Sequence, residues 1–274
     1  MPYTLGQIVS GLPAKAAGRG NWGTTADGSL GMIAAQQAVM EITETAELEE
    51  LKYQTPIPPL GPLQMTAGNP IVPIANLLAT IAGNTNFPQF QSIASQFVDI
   101  TDVYTFWIWF QGGVNQSGRI LEYRRIPAAD MYTYGVTSSN QQSFGVAPPV
   151  YYSRFGAVLQ LAPSPDQSYF YFVRVKLRHP WPSSSLNNAV IFAPDSWMEI
   201  FQYSAILRLA MNEGIQDSSI YKTAADFLTS RGMAPWQLRN LQMQRDERHN
   251  SRSMSLRANV YTHRLWPPLP LSRT

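Results

Sequence analysis

The middle of the chain alternates hydrophobic and other positions with a period of two, which is typical of β-strands. Residues 103–110 place aromatic or β-branched side chains on both faces, which predicts an inner strand covered on both sides. Residues 119–126 alternate similarly after a glycine-containing turn, so the two segments are predicted to form a hairpin. Short strands are predicted at 150–153 and 157–161, followed by a longer strand at 169–177. One face of that last strand is predicted to be Tyr169, Tyr171, Val173, Val175 and Leu177.

The first hundred residues have a different pattern. Residues 1–28 carry many glycines among polar residues, which predicts a flexible N-terminal arm. Helix one is predicted over 29–53, with a break near Thr45. The proline-rich run from 56 to 73 marks a domain boundary, because proline serves a sheet only at edges or bulges. Residues 60–96 are interpreted as an insertion and not as part of a regular sheet.

Three helices are predicted in the last third of the chain. The first is predicted to begin after Ser196, which has capping-box spacing with Glu199. The second is predicted to be capped by Asp217 or Ser218. Glycines after each of them act as stop signals. The third begins near Pro235. The fold class predicted from this order is α+β, a helical bundle built from N-terminal and C-terminal helices with an inserted antiparallel β-barrel or sandwich unit, plus extended N- and C-terminal arms.

The predicted domain organisation has five parts. They are an N-terminal arm at 1–28, helix one at 29–53, a β domain at 54–189 with the insertion at 60–96, the remaining helices at 190–250, and a docking tail at 251–274.

Composition adds that much of the surface is uncharged or covered by partners. Charged residues make up only 14% of the chain against 45% hydrophobic residues, where soluble domains average about 25% charged. The net charge of +2 is too small to indicate a nucleic-acid-binding protein by itself. The absence of cysteine excludes disulfides, thiolate catalysis and cysteine-based zinc sites, and suits a reducing cytosol. Neither a signal peptide nor a membrane span is predicted.

Candidate catalytic chemistry is sparse. The glycines of 18–23 have dinucleotide-motif spacing, but no predicted strand precedes them. The pairs Glu49–Glu50 and Asp99–Asp102 could act as acid and base in a glycosidase. The solvated face of helix one is the better explanation of Glu49–Glu50, and the alternative for Asp99–Asp102 is that they flank a strand. The histidines are not spaced as a metal-binding pair: His179, His249 and His263. We therefore predict no catalytic residue, no metal, no cofactor and no enzymatic activity.

Two features point to partners. An aromatic set could stack on sugars or bases, but is more typical of a core or a subunit interface: Trp107, Trp109, Tyr151, Tyr152, Phe170 and Phe172. The C-terminal tail combines basic and apolar residues that it cannot bury against itself, so it is predicted to dock into a partner. The predicted docking residues are Arg252, Arg257, Arg264, Leu265, Trp266 and Leu269.

The order of these elements resembles a known family. Helix one leads through Leu48–Leu51 into an extended segment, then come Pro149–Tyr152, the run from Gly156 to Pro165 with its Pro-x-Pro turn, an alternating strand to His179–Pro180, and two helices up to Gly232. This order is similar to the head-to-tail adaptors of short-tailed bacteriophages, of the tail tubular protein A type. The likeness covers about half of the chain, and its departures are the N-terminal arm and the insertion at 60–96.

The resemblance implies a structural connector protein of the virion neck, assembled in the host cytoplasm. Such a subunit forms a ring with other copies, a dodecamer by resemblance, between the portal protein and a tail nozzle or tail tube protein. The C-terminal tail inserts into the portal, and genomic double-stranded DNA passes through the lumen with nonspecific contacts. Two alternatives stay open at this point: a β-sandwich receptor or glycan-binding virion protein using Trp107 and Trp109, and a cell-wall hydrolase using the carboxylate pairs.

Overall fold

A computed structural model describes residues 3–56, 63–110, 119–122, 124–127, 131, 148–182, 185–216, 218–235 and 237–244. Its α-helices are α1 (Leu5–Ser10), α2 (Leu12–Lys15), α3 (Leu30–Thr45), α4 (Ile74–Leu78), α5 (Pro88–Gln91), α6 (Met198–Asn212) and α7 (Ser219–Ser230). Its strands are β1 (Lys52–Gln54), β2 (Gln64–Met65), β3 (Ile71–Pro73), β4 (Ile100–Phe110), β5 (Arg119–Glu122), β6 (Arg124–Arg125), β7 (Tyr151–Phe155), β8 (Val158–Ala162) and β9 (Tyr169–Leu177). The protein is therefore α+β, as predicted.

Helices from the two ends of the chain share one apolar core. Helix α3 packs against α6, and α6 packs in turn against α7. Met32, Ala35 and Val39 contribute the α3 side of this core, while Phe201 and Ile206 contribute the α6 side. The contacts join segments that lie on opposite sides of all the described strands in the sequence, so the β part is inserted between helices that pack together.

The N-terminal segment is folded, which shows that the predicted flexible arm at 1–28 is wrong over its described part. Thr4 and Gln7 form a capping box at the start of α1, and Leu5, Ile8 and Leu12 are fully buried in the helical core. The glycines here do not signal flexibility, because close packing leaves no room for a Cβ at three of them. A Cβ on Gly6 would lie 1.6 Å from the Asn187 side chain, closer than any side chain tolerates.

The ends of the later helices follow the sequence only in part. Ser29 and Ser218 accept hydrogen bonds from the first turns of α3 and α7, and Gly214 and Gly232 adopt positive φ after α6 and α7. The predicted capping box at Ser196 is wrong, because Asp195–Trp197 form a 3₁₀ turn and α6 begins only at Met198 without a side-chain cap. The third predicted helix is present in 237–244.

Two sheets face each other around a second apolar core. The larger sheet has the order β1-β9-β4-β5, with β2 also paired to β9, and the smaller has the order β3-β8-β7-β6. All pairs are antiparallel except β6 with β7. Phe106 and Tyr171 of the first sheet and Tyr152 of the second stack at 5.5 Å between ring centroids. Over the described residues these strands do not close into a barrel.

The predicted faces of β9 are confirmed. Tyr169, Tyr171, Val173, Val175 and Leu177 all lie in the core between the sheets. The hairpin of β4 with β5 is also confirmed, and β4 lies inside its sheet between β9 and β5. The predicted strand over 119–126 is divided, however, because residues 119–122 pair with β4 while Arg124–Arg125 pair with β7 in the other sheet.

The interpretation of 60–96 as an insertion outside the sheets is wrong for its described residues. Strand β2 pairs with β9 and β3 pairs with β8, while Leu77, Ile81 and Phe90 are buried in the core between the sheets. Prolines do lie at an edge, as expected, because Pro73 ends the outermost strand of the smaller sheet. A proline-rich sequence here therefore makes short edge elements that complete the β unit.

Candidate functional site

A polar cleft of about 540 Å³ lies where the helices meet the sheets. One wall is the C-terminal half of α3, and the others are the beginning of β4, strands β6 and β7, the end of β9, α6 and the last described helix. Its charged residues are Glu41, Glu44, Asp102, Arg125, Arg154, Arg178 and Arg208. The cleft is therefore built from both parts of the fold, and its charges decide what it can do.

Asp99 and Arg154 form an ion pair with several hydrogen bonds beside this cleft. The Nη2 atom of Arg154 donates to both carboxylate oxygens of Asp99 at 2.8 and 2.9 Å, and Nη1 donates to the carbonyl oxygen of Ile100 at 2.6 Å. Asp99 also lies 3.8 Å from Arg178. Asp99 precedes β4 in the larger sheet and Arg154 belongs to β7 in the smaller one, so this pair fastens the two sheets together at their edge.

The remaining arginines each face a carboxylate from another element. Arg125 donates to Asp102 at 2.7 Å, again joining the two sheets. Arg178, just after β9, lies 3.2 Å from Glu44 of α3, which joins the sheet to a helix. These pairs are only partly buried, so each is worth little by itself, but together they define the relative position of the elements.

Arg208 and Glu41 form the corresponding pair between α6 and α3. Burial lowers the pKa of Arg208 from its ordinary value, because the charged guanidinium loses hydration without a compensating bond at Nε. A partly buried guanidinium without a carboxylate partner would be costly, so the pair with Glu41 holds α6 against α3.

Lys176 adds a bond between the sheet and a helix end. Its side chain is fully buried, and Nζ donates to the carbonyl oxygens of Glu44 and Ala46 at 2.8 and 2.7 Å. These carbonyls lie at the C-terminus of α3, where the helix dipole favours a positive charge. Strand β9 is therefore anchored to α3 by an ammonium group as well as by Arg178.

The apolar side of the same junction surrounds His179. Its ring lies 4.5 Å from that of Trp181 and 5.9 Å from that of Phe192, which packs against both apolar cores. Nε2 accepts a hydrogen bond from the backbone N–H of Phe192 at 3.4 Å. Residues 179–194 and 84–98 contain no acidic residue, so no carboxylate in these segments can stabilise an imidazolium ion. Burial accordingly lowers the pKa of His179 to about 3.

This arrangement favours a mechanical role over acid–base chemistry for the cleft. A general acid or base must be able to exchange its proton with a reacting group, whereas Asp99, Asp102, Glu41 and Glu44 face guanidinium groups. Asp99 and Asp102 were one of the predicted carboxylate pairs, and both flank or begin a strand as the alternative explanation required. Their partners come from other elements, which is the pattern of a junction between parts.

The other carboxylate pair lies outside the cleft lining. Glu49 and Glu50 belong to a 3₁₀ turn after α3 and not to the face of that helix, so the predicted position on helix one is corrected. A hydrogen bond from Lys52 lowers the pKa of Glu49, whose side chain is 72% exposed. This carboxylate is held ionised at the surface, which does not suit a proton donor.

The predicted aromatic set divides between the core that the sheets share and the outer faces of both sheets, and Tyr151 packs on the smaller sheet against a separate cluster of Ile126, Met131 and Ala162. Tyr152 and Phe172 are buried, Tyr151 and Phe170 are half-buried, and the rings of Trp107 and Phe172 lie 5.4 Å apart. The side chain of Trp109 lies outside the described part. For the described members, packing accounts for most of the aromatic surface.

The predicted docking residues Arg252, Arg257, Arg264, Leu265, Trp266 and Leu269 lie outside the described residues, as do His249 and His263. Within the described part, no group of three or more histidine, aspartate or glutamate side chains could hold a metal ion.

Sequence reasoning missed the arginines of the cleft. A signal for such residues is present in the sequence: Arg154, and also Lys176 outside the cleft, occur within strands whose other residues are mostly apolar. A charge in such a strand requires a partner. The identity of each partner was not readable, since Arg154 and Asp99 are 55 positions apart.

No described helix is both long enough and apolar enough to cross a lipid bilayer. Comparison of the chain with models of protein families and with curated proteins found no match.

Proposed function

We propose that this protein is a structural head-to-tail adaptor, a ring-forming connector in the neck of a short-tailed phage. The observation that carries the proposal is the arrangement of the chain around its inserted β unit. Helix α3 and the pair α6–α7 pack on one core, and the strands between them form a separate two-sheet core. This is the order of elements on which the resemblance to the adaptor family depends.

The contacts at the junction between the two cores support a role in transmitting force. Arg178 and Lys176 join β9 to α3, Arg208 joins α6 to α3, and Phe192 packs on both sides. A connector that transmits force between a capsid and a tail needs its parts held in one orientation. The ion pairs bridge separate elements, and Phe192 contacts both apolar cores, so several contacts restrict how the parts can move relative to each other.

In this proposal the helical part and the β unit contact neighbouring copies, and the C-terminal tail docks into the portal protein. Low surface charge fits a subunit whose flanks, top and bottom are all covered, since heterologous contacts that close generate rings. DNA passage through such a ring would rest on nonspecific contacts.

The decisive experiment is electron microscopy of the purified protein mixed with a candidate portal. We expect class averages of a ring attached to one end of the portal. A protein that stays monomeric and binds none of the portal proteins tested contradicts the proposal.

A deletion of residues 251–274 tests the tail separately. The shortened protein should keep its circular dichroism spectrum and lose portal docking, whereas the full chain carrying Val150→Ser should dock normally. Val150 serves as the control because it is apolar and 48% exposed on the described surface. Unchanged docking after the deletion shows that the tail is not the docking element.

A further inference from the structure

An apolar groove of about 770 Å³ lies on the β unit and borders the cleft at Asp99, which is paired there with Arg154. Ile74 and Phe97 are buried in its floor, whereas five apolar residues of its rim are exposed: Pro73, Ala75, Ala79, Val98 and Ala157. Val98 alone is 77% exposed. A contiguous apolar surface of this kind marks a site of interaction, whereas single exposed apolar residues do not.

Among the described residues that line the groove, none offers an unpaired charge. Asp99 is the one charged residue among those that line it, and both of its carboxylate oxygens accept hydrogen bonds from Arg154. A charged ligand would therefore lose hydration here without gaining a partner. The chemistry of the groove fits an uncharged apolar segment.

The chain itself contains such a segment. Residues 265–270, with the sequence Leu-Trp-Pro-Pro-Leu-Pro, are uncharged and apolar, and 20 residues separate them from residue 244, the last described one. Twenty residues can span about 65 Å, and a compact domain of this size is about 50 Å across, so the segment can reach the groove of its own chain. Proline-rich peptides bind apolar grooves at low entropic cost, because proline already restricts their backbone.

We propose that residues 265–270 bind in the apolar groove of their own chain, so that the groove and the segment cover each other's apolar surface. Covalent connection makes this contact intramolecular, with an effective concentration in the millimolar range, so even modest affinity keeps the tail docked. The inference concerns one chain only and stands independently of the adaptor proposal. If the protein is an adaptor, its tail would bind this groove before assembly and leave it when it binds the portal.

Because the chain has no cysteine, a pair of introduced cysteines reports the contact directly. The full chain carrying Val98→Cys and Leu269→Cys is oxidised mildly, and disulfide formation within one chain is followed by mass spectrometry. The control carries Val150→Cys and Leu269→Cys, which places the first thiol at another exposed valine. We expect the Val98 pair to close about tenfold faster, since docking raises the local concentration of the tail.

Trypsin gives a second measurement that introduces no thiol. Cleavage after Arg264 requires an undocked tail, so its rate follows the undocked fraction. If the tail is docked about nine-tenths of the time, Val98→Asp should raise that rate about tenfold, while Val150→Asp should leave it unchanged. Both positions are exposed, so neither change should disturb folding.

Equal closure rates for the two cysteine pairs, together with equal cleavage of both aspartate variants, overturn the proposal. Disulfides that form mainly between two chains also overturn it, because they identify a second copy as the occupant of the groove. Neither measurement involves a portal, so failure here leaves the adaptor proposal to its own test.

Discussion

Replacing Gly31 by alanine should destabilise the protein, although the same change in an isolated helix would stabilise it. Gly31 lies in the first turn of α3, directly against the backbone of the segment that contains Trp22. A Cβ at position 31 would lie 2.0 Å from the carbonyl oxygen of Trp22 and 3.3 Å from a methyl group of Val9. Backbone atoms cannot rotate away as a side chain can, so the two segments must separate.

The size of the effect follows from two opposing contributions. Ordinary contact begins at 3.4 Å, so the helix and the Trp22 segment must move apart by about 1.4 Å. Overpacking of this kind costs about 3 kcal/mol at the upper end of its range, while alanine regains about 1 kcal/mol of helix propensity. The expected net loss is about 2 kcal/mol. That movement would also lengthen or break the hydrogen bond of 2.6 Å from Trp22 Nε1 to Glu213.

Urea unfolding followed by tryptophan fluorescence measures this loss, with a thermal melt expected to shift down by about 4–8 °C. Gly20→Ala is the matched control, because Gly20 belongs to the same segment and a Cβ there meets nothing within 4 Å. That variant should stay within about 0.5 kcal/mol of the original protein. If Gly31→Ala is as stable as the original protein or more stable, the N-terminal segment does not pack on α3 as described.

Two further predictions concern the junction. His179 has a pKa of about 3 in the folded protein against 6.5 when unfolded, so its contribution to stability is complete above pH 6.5 and falls as the pH drops toward 3. The free energy of unfolding in urea should fall between pH 7 and pH 5, and this fall should be about 2 kcal/mol smaller in His179→Phe than in the original protein. An equal fall in both proteins would rule out this histidine as the cause. Asp99→Asn removes the charge that holds Arg154 and Arg178, and should cost about 1–2 kcal/mol in the same assay. Glu49→Gln is its control, because that exposed carboxylate should contribute almost nothing to the free energy of unfolding. Similar losses in both variants would show that the pair of Asp99 with Arg154 stabilises the fold no more than a surface ion pair does.

Local signals were enough for the elements whose structure depends on near neighbours in the chain. The alternation of β9 correctly divides its two faces, since side chains along a strand point to opposite sides whatever the partner strand is. Ser29 and Ser218 cap α3 and α7, and the glycines at 214 and 232 end the preceding helices through positive φ. Each of these features needs only a few consecutive residues.

Features that depend on distant contacts were misread. The glycines before residue 29 were interpreted as flexibility because nothing nearby shows that Trp22 lies against Gly31, or that Asn187 lies against Gly6. The segment 60–96 resists strand prediction because its described strands are only two or three residues long and Pro73 ends one of them, so no periodicity is left on which strand prediction could depend.

The sequence by itself determined an α+β chain with an inserted β unit, apolar faces of known orientation, and a chain without thiol chemistry. Tertiary structure alone decided which arginine meets which carboxylate, that the N-terminal segment completes the helical core, and that the rim of Val98 and its neighbours forms one groove. The physical reason is the range of the interactions. Backbone geometry and capping act over a few residues, whereas ion pairs and close packing join segments that only the folded chain brings together.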